Sequence, residues 1–214
     1  GLSGRFLRRA LVFQDVDPVM NPGFVAAADQ AGLRLLPGRA VKRWRKGAVS
    51  SWSARHRHVV EREQRVLGAT RAVVREVRST SPRVLRQLRA LYQAANTGVG
   101  SAVPDYREPW FAAAIESDTL FVLGVYKDDE LRAFAICHDG ARGALTRVAV
   151  GFEPEGRANT AVLRILAAAQ LHEAARARLG LVVAADAPEF QHINGGEPGA
   201  LAAAVYTGHL PFYQ

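Results

Sequence analysis

The chain has 214 residues, 49% of them hydrophobic, and a net charge of +8. That length suits one large domain, or one domain with an annex, and the apolar fraction is enough for a buried core. No apolar stretch approaches 18 residues and no basic, apolar and small-residue leader is present, which argues against a membrane span and a secretory signal, although the opening Gly1 leaves room for a segment ahead of it.

The charge is divided unevenly: residues 1–89 carry a net +13 and residues 90–214 a net −5. Genomic base composition accounts for arginine in place of lysine, but not for its crowding into one half. A basic front half that meets a polyanion is one reading, and a solvated face is the other. The single Cys137 excludes an internal disulfide and a Cys-rich zinc site, and no metal spacing occurs elsewhere. It stands in an alternating apolar segment, where a small buried hydrophobe is expected, and a reducing cytoplasm is the expected location.

In chain order, Arg9–Phe13 is strand-like, Pro22–Ala31 predicts a small helix closed by Gly32, and Leu33–Leu36 is apolar again. A basic connector runs from Arg39 to Lys46. Ser53 can then cap a helix to Leu67, polar nearly all round, which carries Arg55, Arg57, Arg62 and Arg65 with His56 and His58. Valine-rich Thr70–Val77 predicts a strand. Ser81 followed by Pro82 marks the start of a helix to about Ala95, striped by Leu85, Leu88, Leu91 and Tyr92.

A short helix falls around Glu108–Ile115. Strands Leu120–Tyr126, Leu131–His138 and Ala144–Val150 come next, joined by hairpin connections at Lys127–Glu130 and Asp139–Gly143. A long helix runs from Arg157 to about Leu179, with Gly180 as its C′ residue. Leu181–Ala185 reads as a buried strand, Pro188–Ile193 as a helical turn and Ala200–Tyr206 as a last strand. From Thr70 the order is β-α-α-β-β-β-α-β-α-β, which predicts an α/β fold with a mixed, mostly antiparallel sheet and one β-α-β crossover. The expected division is a basic N-terminal extension with a connector helix over 1–69 and the main domain over 70–214.

This order resembles that of the GNAT acyltransferases. The resemblance implies that the strand before the long helix splays from its neighbour and that the cleft receives the donor. A sharper resemblance is to the Fem-type, BioF2-like branch, carried by the basic helix ahead of the module and by Phe190-Gln-His-Ile-Asn-Gly-Gly-Glu-Pro198 after the penultimate strand. Residues 1–69 look like the remnant of a first, tandem GNAT-like domain. Gln191 stands where that branch usually has lysine. The glycine-rich phosphate signature of typical members is reduced to Glu155-Gly-Arg-Ala-Asn-Thr160.

Arg157, Asn159 and Thr160 at a helix start can still attract phosphate. By resemblance, backbone amides of the splayed strand, at Val148 and Val150, would hold the developing oxyanion. Arg147 on that strand faces either the cleft or solvent. Asp186, Glu189, Gln191, His192 and Asn194 cluster at the C-terminal end of a buried strand, where ligands of open α/β sheets gather. His192 is a candidate base, Glu189 a second candidate catalytic residue and Tyr206 a candidate proton donor, and Asp186 serves equally well as an N-cap. Gly195-Gly196 is a tight turn or a close approach to a ligand.

Arg43, Trp44, Arg45 and Lys46, with Arg55, Arg57, Arg62 and Arg65, combine charge and aromatics as RNA phosphates and bases require. The resemblance makes that RNA a tRNA. The sequence thus predicts an acyltransferase with no tightly bound cofactor and no metal. Its donor would be aminoacyl-tRNA or acyl-CoA, and its acceptor an amine of a small molecule or peptide. Two alternatives are an acyl-CoA-dependent N-acetyltransferase and a non-catalytic RNA-binding or scaffolding module.

Overall fold

The computed structural model describes residues 10–19, 21–52, 58, 62, 72–97, 104–140, 143–153, 157–191, 193 and 195–207. It divides into two compact units: Gly1–Lys42 with Glu197–Gln214, and Arg43–Gly196.

The first unit holds β1 (Leu11–Val16), helix α1 (Pro22–Gln30), β2 (Arg34–Trp44) up to Lys42, and β8 (Glu197–Tyr206), with β8 between β1 and β2; Arg43 and Trp44 at the end of β2 belong to the second unit. β1 and β8 are antiparallel, from Leu11 opposite Tyr206 to Val16 opposite Ala202. Gly32, at φ +73, ends α1 as expected from the sequence. The expected basic connector is instead the second half of β2. Pro37 and Gly38 do not break this strand. A Cβ on Gly38 would lie 2.9 Å from the carbonyl oxygen of Leu201, so glycine is what lets the two strands approach.

The second unit repeats the predicted element order. Its elements are β3 (Val73–Glu76), α2 (Pro82–Ala95), α3 (Glu108–Glu116), β4 (Leu120–Lys127), β5 (Glu130–Gly140), β6 (Ala144–Phe152), α4 (Arg157–Arg176), β7 (Gly180–Ala184) and a 3₁₀ turn at Pro188–Phe190. The strand order is β7-β6-β5-β4-β3, antiparallel from β3 to β6 and parallel only between β6 and β7. This is the mixed, mostly antiparallel sheet with one β-α-β crossover. Asp128 and Asp129 both take positive φ, at 54° and 58°, in the two-residue β4–β5 turn.

The two faces of this sheet carry separate cores. Ile165, Leu166 and Leu171 of α4 pack with Leu123, Ala135, Leu181 and Val183. Leu88, Leu91 and Tyr92 of α2, with Phe111 of α3, pack on Val122, Phe134 and Ile136. Helix α4 does not end at Gly180. Arg178 takes the left-handed conformation at φ 57, and the Leu179 N–H bonds back to the Ala174 carbonyl at 2.8 Å. Gly180 opens β7, where a Cβ would come within 2.7 Å of the Trp44 carbonyl.

The expected helix from Ser53 to Leu67 lies mostly outside the described residues. Residues 46–52 are already helical, as are His58 and Arg62. No described helix is long and apolar enough to cross a membrane.

Candidate active site at the split between β6 and β7

β6 and β7 pair only from Ala144 opposite Gly180 to Thr146 opposite Val182. Both strands continue beyond that point, β6 to Phe152 and β7 to Ala184, without a shared ladder. The register between β5 and β6 shifts at the same place: Cys137 opposes Arg147 and Ile136 opposes Ala149, so Val148 is an extra, bulged residue. The bulge inverts the alternation along β6. Leu145 precedes it, Val150 and Phe152 follow it, and all three belong to the core beneath α4. Simple period-two counting across Val148 therefore assigns half the strand to the wrong face.

Arg147, opposite the core residue Cys137, turns to the α4 face. Its guanidinium donates to Glu189 Oε1 at 2.7 Å, and the two side chains are 9% and 0% exposed. Glu189 belongs to the 3₁₀ turn just past β7, so the ion pair spans the split where the ladder stops. Glu189 Oε2 is buried with no hydrogen-bond partner among the described residues.

Two further buried polar groups adjoin the pair. Gln170 of α4 is fully buried and accepts the Cys137 S–H at 4.0 Å. Burial pushes the Cys137 thiol up to about 12, with Arg147 lowering it and Glu189 and Glu173 raising it. The raised value gives a sign for alkaline stability. The thiol stays protonated in the folded state while the unfolded chain releases its proton, so the contribution is complete below about pH 9 and lost as pH rises towards about 12. Denaturant midpoints should fall across that window, and Cys137→Ala should flatten the fall by up to about 1.4 kcal/mol per pH unit.

The other sequence candidates are distributed as follows. Val148 is 40% exposed at the bulge, while Val150 is half-buried against the core. Thr160 is half-buried in the first turn of α4. Arg157 and Asn159 share that turn, and their side chains lie outside the described residues, as do His192 and Asn194 altogether. Asp186 is exposed and does not cap the 3₁₀ turn. Ala187 holds the cap position, with no side-chain hydrogen bond. Gln191 is exposed. Tyr206 belongs to the first unit, where its ring lies beside Gly32.

Trp44 is 2% exposed, tilted against Phe190 with ring centroids 5.1 Å apart, and packs in the core. Gly195 and Gly196, at φ +102 and +85, approach Trp52 and Trp44 closely, and a Cβ on Gly196 would lie 2.8 Å from the Trp44 ring. The double glycine therefore accommodates two indoles. Arg45, Lys46 and Arg62 are exposed and Arg43 is half-buried, while Arg55, Arg57 and Arg65 lie outside the described residues. In the sequence Gln170 is only a polar interruption of an apolar helix, because its burial against Cys137 has no local signature. Among the described residues no group of three or more His, Cys, Asp or Glu side chains could hold a metal.

No family model and no curated protein matches the chain. Solved structures do. The C-terminal domain of a protein described as a lysylphosphatidylglycerol synthetase from Agrobacterium fabrum aligns at 14% identity and TM-score 0.58, over 92% of this chain and 68% of that one. L-PGS from Bacillus licheniformis aligns at 13% identity and TM-score 0.55, over 90% and 66%. A GCN5-related N-acetyltransferase from Kribbella flavida aligns at 14% identity and TM-score 0.51, over 95% and 44%. The fold is that of the GNAT acyltransferases. The chain spans about two thirds of the first two structures and less than half of the third.

Proposed function

We propose that this chain is an acyltransferase that holds an acyl or aminoacyl donor at the split between β6 and β7 and passes the acyl group to an amine. The observation that carries the reading is the loss of pairing after Thr146 and Val182 together with the bulge at Val148. A strand edge that has lost its ladder partner has N–H groups to offer on that side, and a carbonyl oxygen that becomes anionic as the amine attacks requires such donors. The acceptor nitrogen would bond to the donor carbonyl carbon, the leaving sulfur or ribose oxygen would take a proton, and the ammonium proton would pass to a base or to water.

Aminoacyl-tRNA is the first choice of donor. It is supported by the net +13 over residues 1–89 and by the likeness to a lysylphosphatidylglycerol synthetase, whose name states a lysyl product. Acyl-CoA is the second choice, supported by the likeness to an N-acetyltransferase and by a 20-residue helix that begins at Arg157, the next element after the splayed strand.

A transfer assay decides between them. Labelled aminoacyl-tRNA and acetyl-CoA are offered side by side, with small amines and peptides as acceptors. Label transferred from aminoacyl-tRNA, with tRNA binding that weakens steeply as salt is added, is the expected result. Transfer from acetyl-CoA alone establishes the second reading. RNA binding with no transfer from either donor leaves a binding module and ends the enzymatic reading.

A further inference from the structure

The residue that follows the last β6–β7 pair is Arg147, and the residue after it is the bulged Val148. We propose that the Arg147–Glu189 ion pair is a clasp that orients the Val148 peptide, so that Glu189 is a positioning residue for acyl transfer and not its base. This rests on the reading of the split as the donor site.

Geometry excludes Glu189 as the base. A side chain with no exposed surface is out of reach of an acceptor arriving from solvent, and its Oε1 is already occupied by the guanidinium at 2.7 Å. The same geometry suits a clasp. The carbonyl of Arg147 and the N–H of Val148 share one rigid peptide plane, so anchoring the Arg147 side chain restrains the direction in which that N–H points. Val148 opposes no residue of β5, and β7 has already parted from β6, so neither neighbouring strand does this for it. The clasp reaches instead to the 3₁₀ turn that follows β7.

Energetics point the same way. Two charges are taken out of water, and Glu189 Oε2 gains no partner among the described residues. A half-satisfied buried pair is a poor source of stability, and apolar residues of similar volume commonly equal or exceed it. What such a pair contributes is a fixed direction.

The test compares wild type with Glu189→Gln, Arg147→Lys and the double variant Arg147→Met/Glu189→Leu. Thermal stability, kcat and KM for each donor, and hydrogen exchange of the Val148 amide are measured. The double variant should keep or raise Tm yet lose about 100-fold in kcat, with KM for the donor within about threefold and faster exchange at Val148. Arg147→Lys, which keeps the charge, should retain more activity than Glu189→Gln. A double variant with wild-type kcat overturns the clasp, as does unchanged exchange at Val148. If wild type transfers nothing from either donor, the donor-site reading falls, and the exchange measurement alone still decides whether the pair holds the bulge.

Discussion

Glu189→Leu alone should lower stability by about 3–5 kcal/mol, a fall in Tm of roughly 10 °C, measurable by calorimetry. The loss comes less from the missing attraction than from what remains. Arg147 keeps its guanidinium in a site where its side chain is 9% exposed, and no other described group hydrogen-bonds it there. Adding Arg147→Met to the same background should restore most of the loss, because the second change removes the stranded charge. The two substitutions are therefore strongly non-additive, as expected for partners in contact. Simple additivity would mean that the two groups do not meet in the folded protein.

Gly151→Val should have an effect of similar size for an unrelated reason. Gly151 lies opposite Phe134 on the α2 face of the sheet, where a Cβ would come within 2.8 Å of both the Phe134 ring and the Tyr92 backbone nitrogen. A ring can rotate aside, but a backbone atom held in the last turn of a helix cannot, so that end of α2 must lift from β6. A cost of about 3 kcal/mol or more is expected, with loss of the packing around Leu88, Leu91 and Phe111. Gly23→Ala is the control. Nothing lies within 4 Å of a Cβ at that position in α1, and replacing a helical glycine there should be neutral or gain up to about 1 kcal/mol.

The element order of the second unit was legible because its boundaries are written in local chemistry. Pro82 opens α2, Asp128-Asp129 closes a two-residue hairpin, and the valine and leucine runs of β4 to β7 have few alternatives. What could not be read depends on distant partners. Gly180 has the sequence position of a helix cap, but its lack of a side chain answers to the Trp44 carbonyl, far away in the chain. Trp44 sits among arginines and lysine, so composition assigns it to a basic surface, whereas Phe190 and Gly196 enclose it.

Alternation could not orient Arg147, because one bulged residue flips the parity of everything after it. The cluster around Glu189 was visible as a group of polar residues at a strand end. Which of them face inward was not, since Asp186 and Gln191 are exposed while Glu189, between them, is buried. The long β2 was missed because seven consecutive exposed positions, Pro37-Gly38 among them, imitate a loop.

The donor carbonyl is expected to meet the backbone of β6 at the bulge. The most direct measurement is an amide-resolved NMR titration of the protein with acetyl-CoA and with a hydrolysis-resistant aminoacyl-adenosine amide. One of these is expected to shift the amides of Val148 and Val150 and the turn around Glu189, while those of β3 and β4 stay in place. Saturable binding with Val148 and Val150 unmoved by both probes would contradict the placement of the donor.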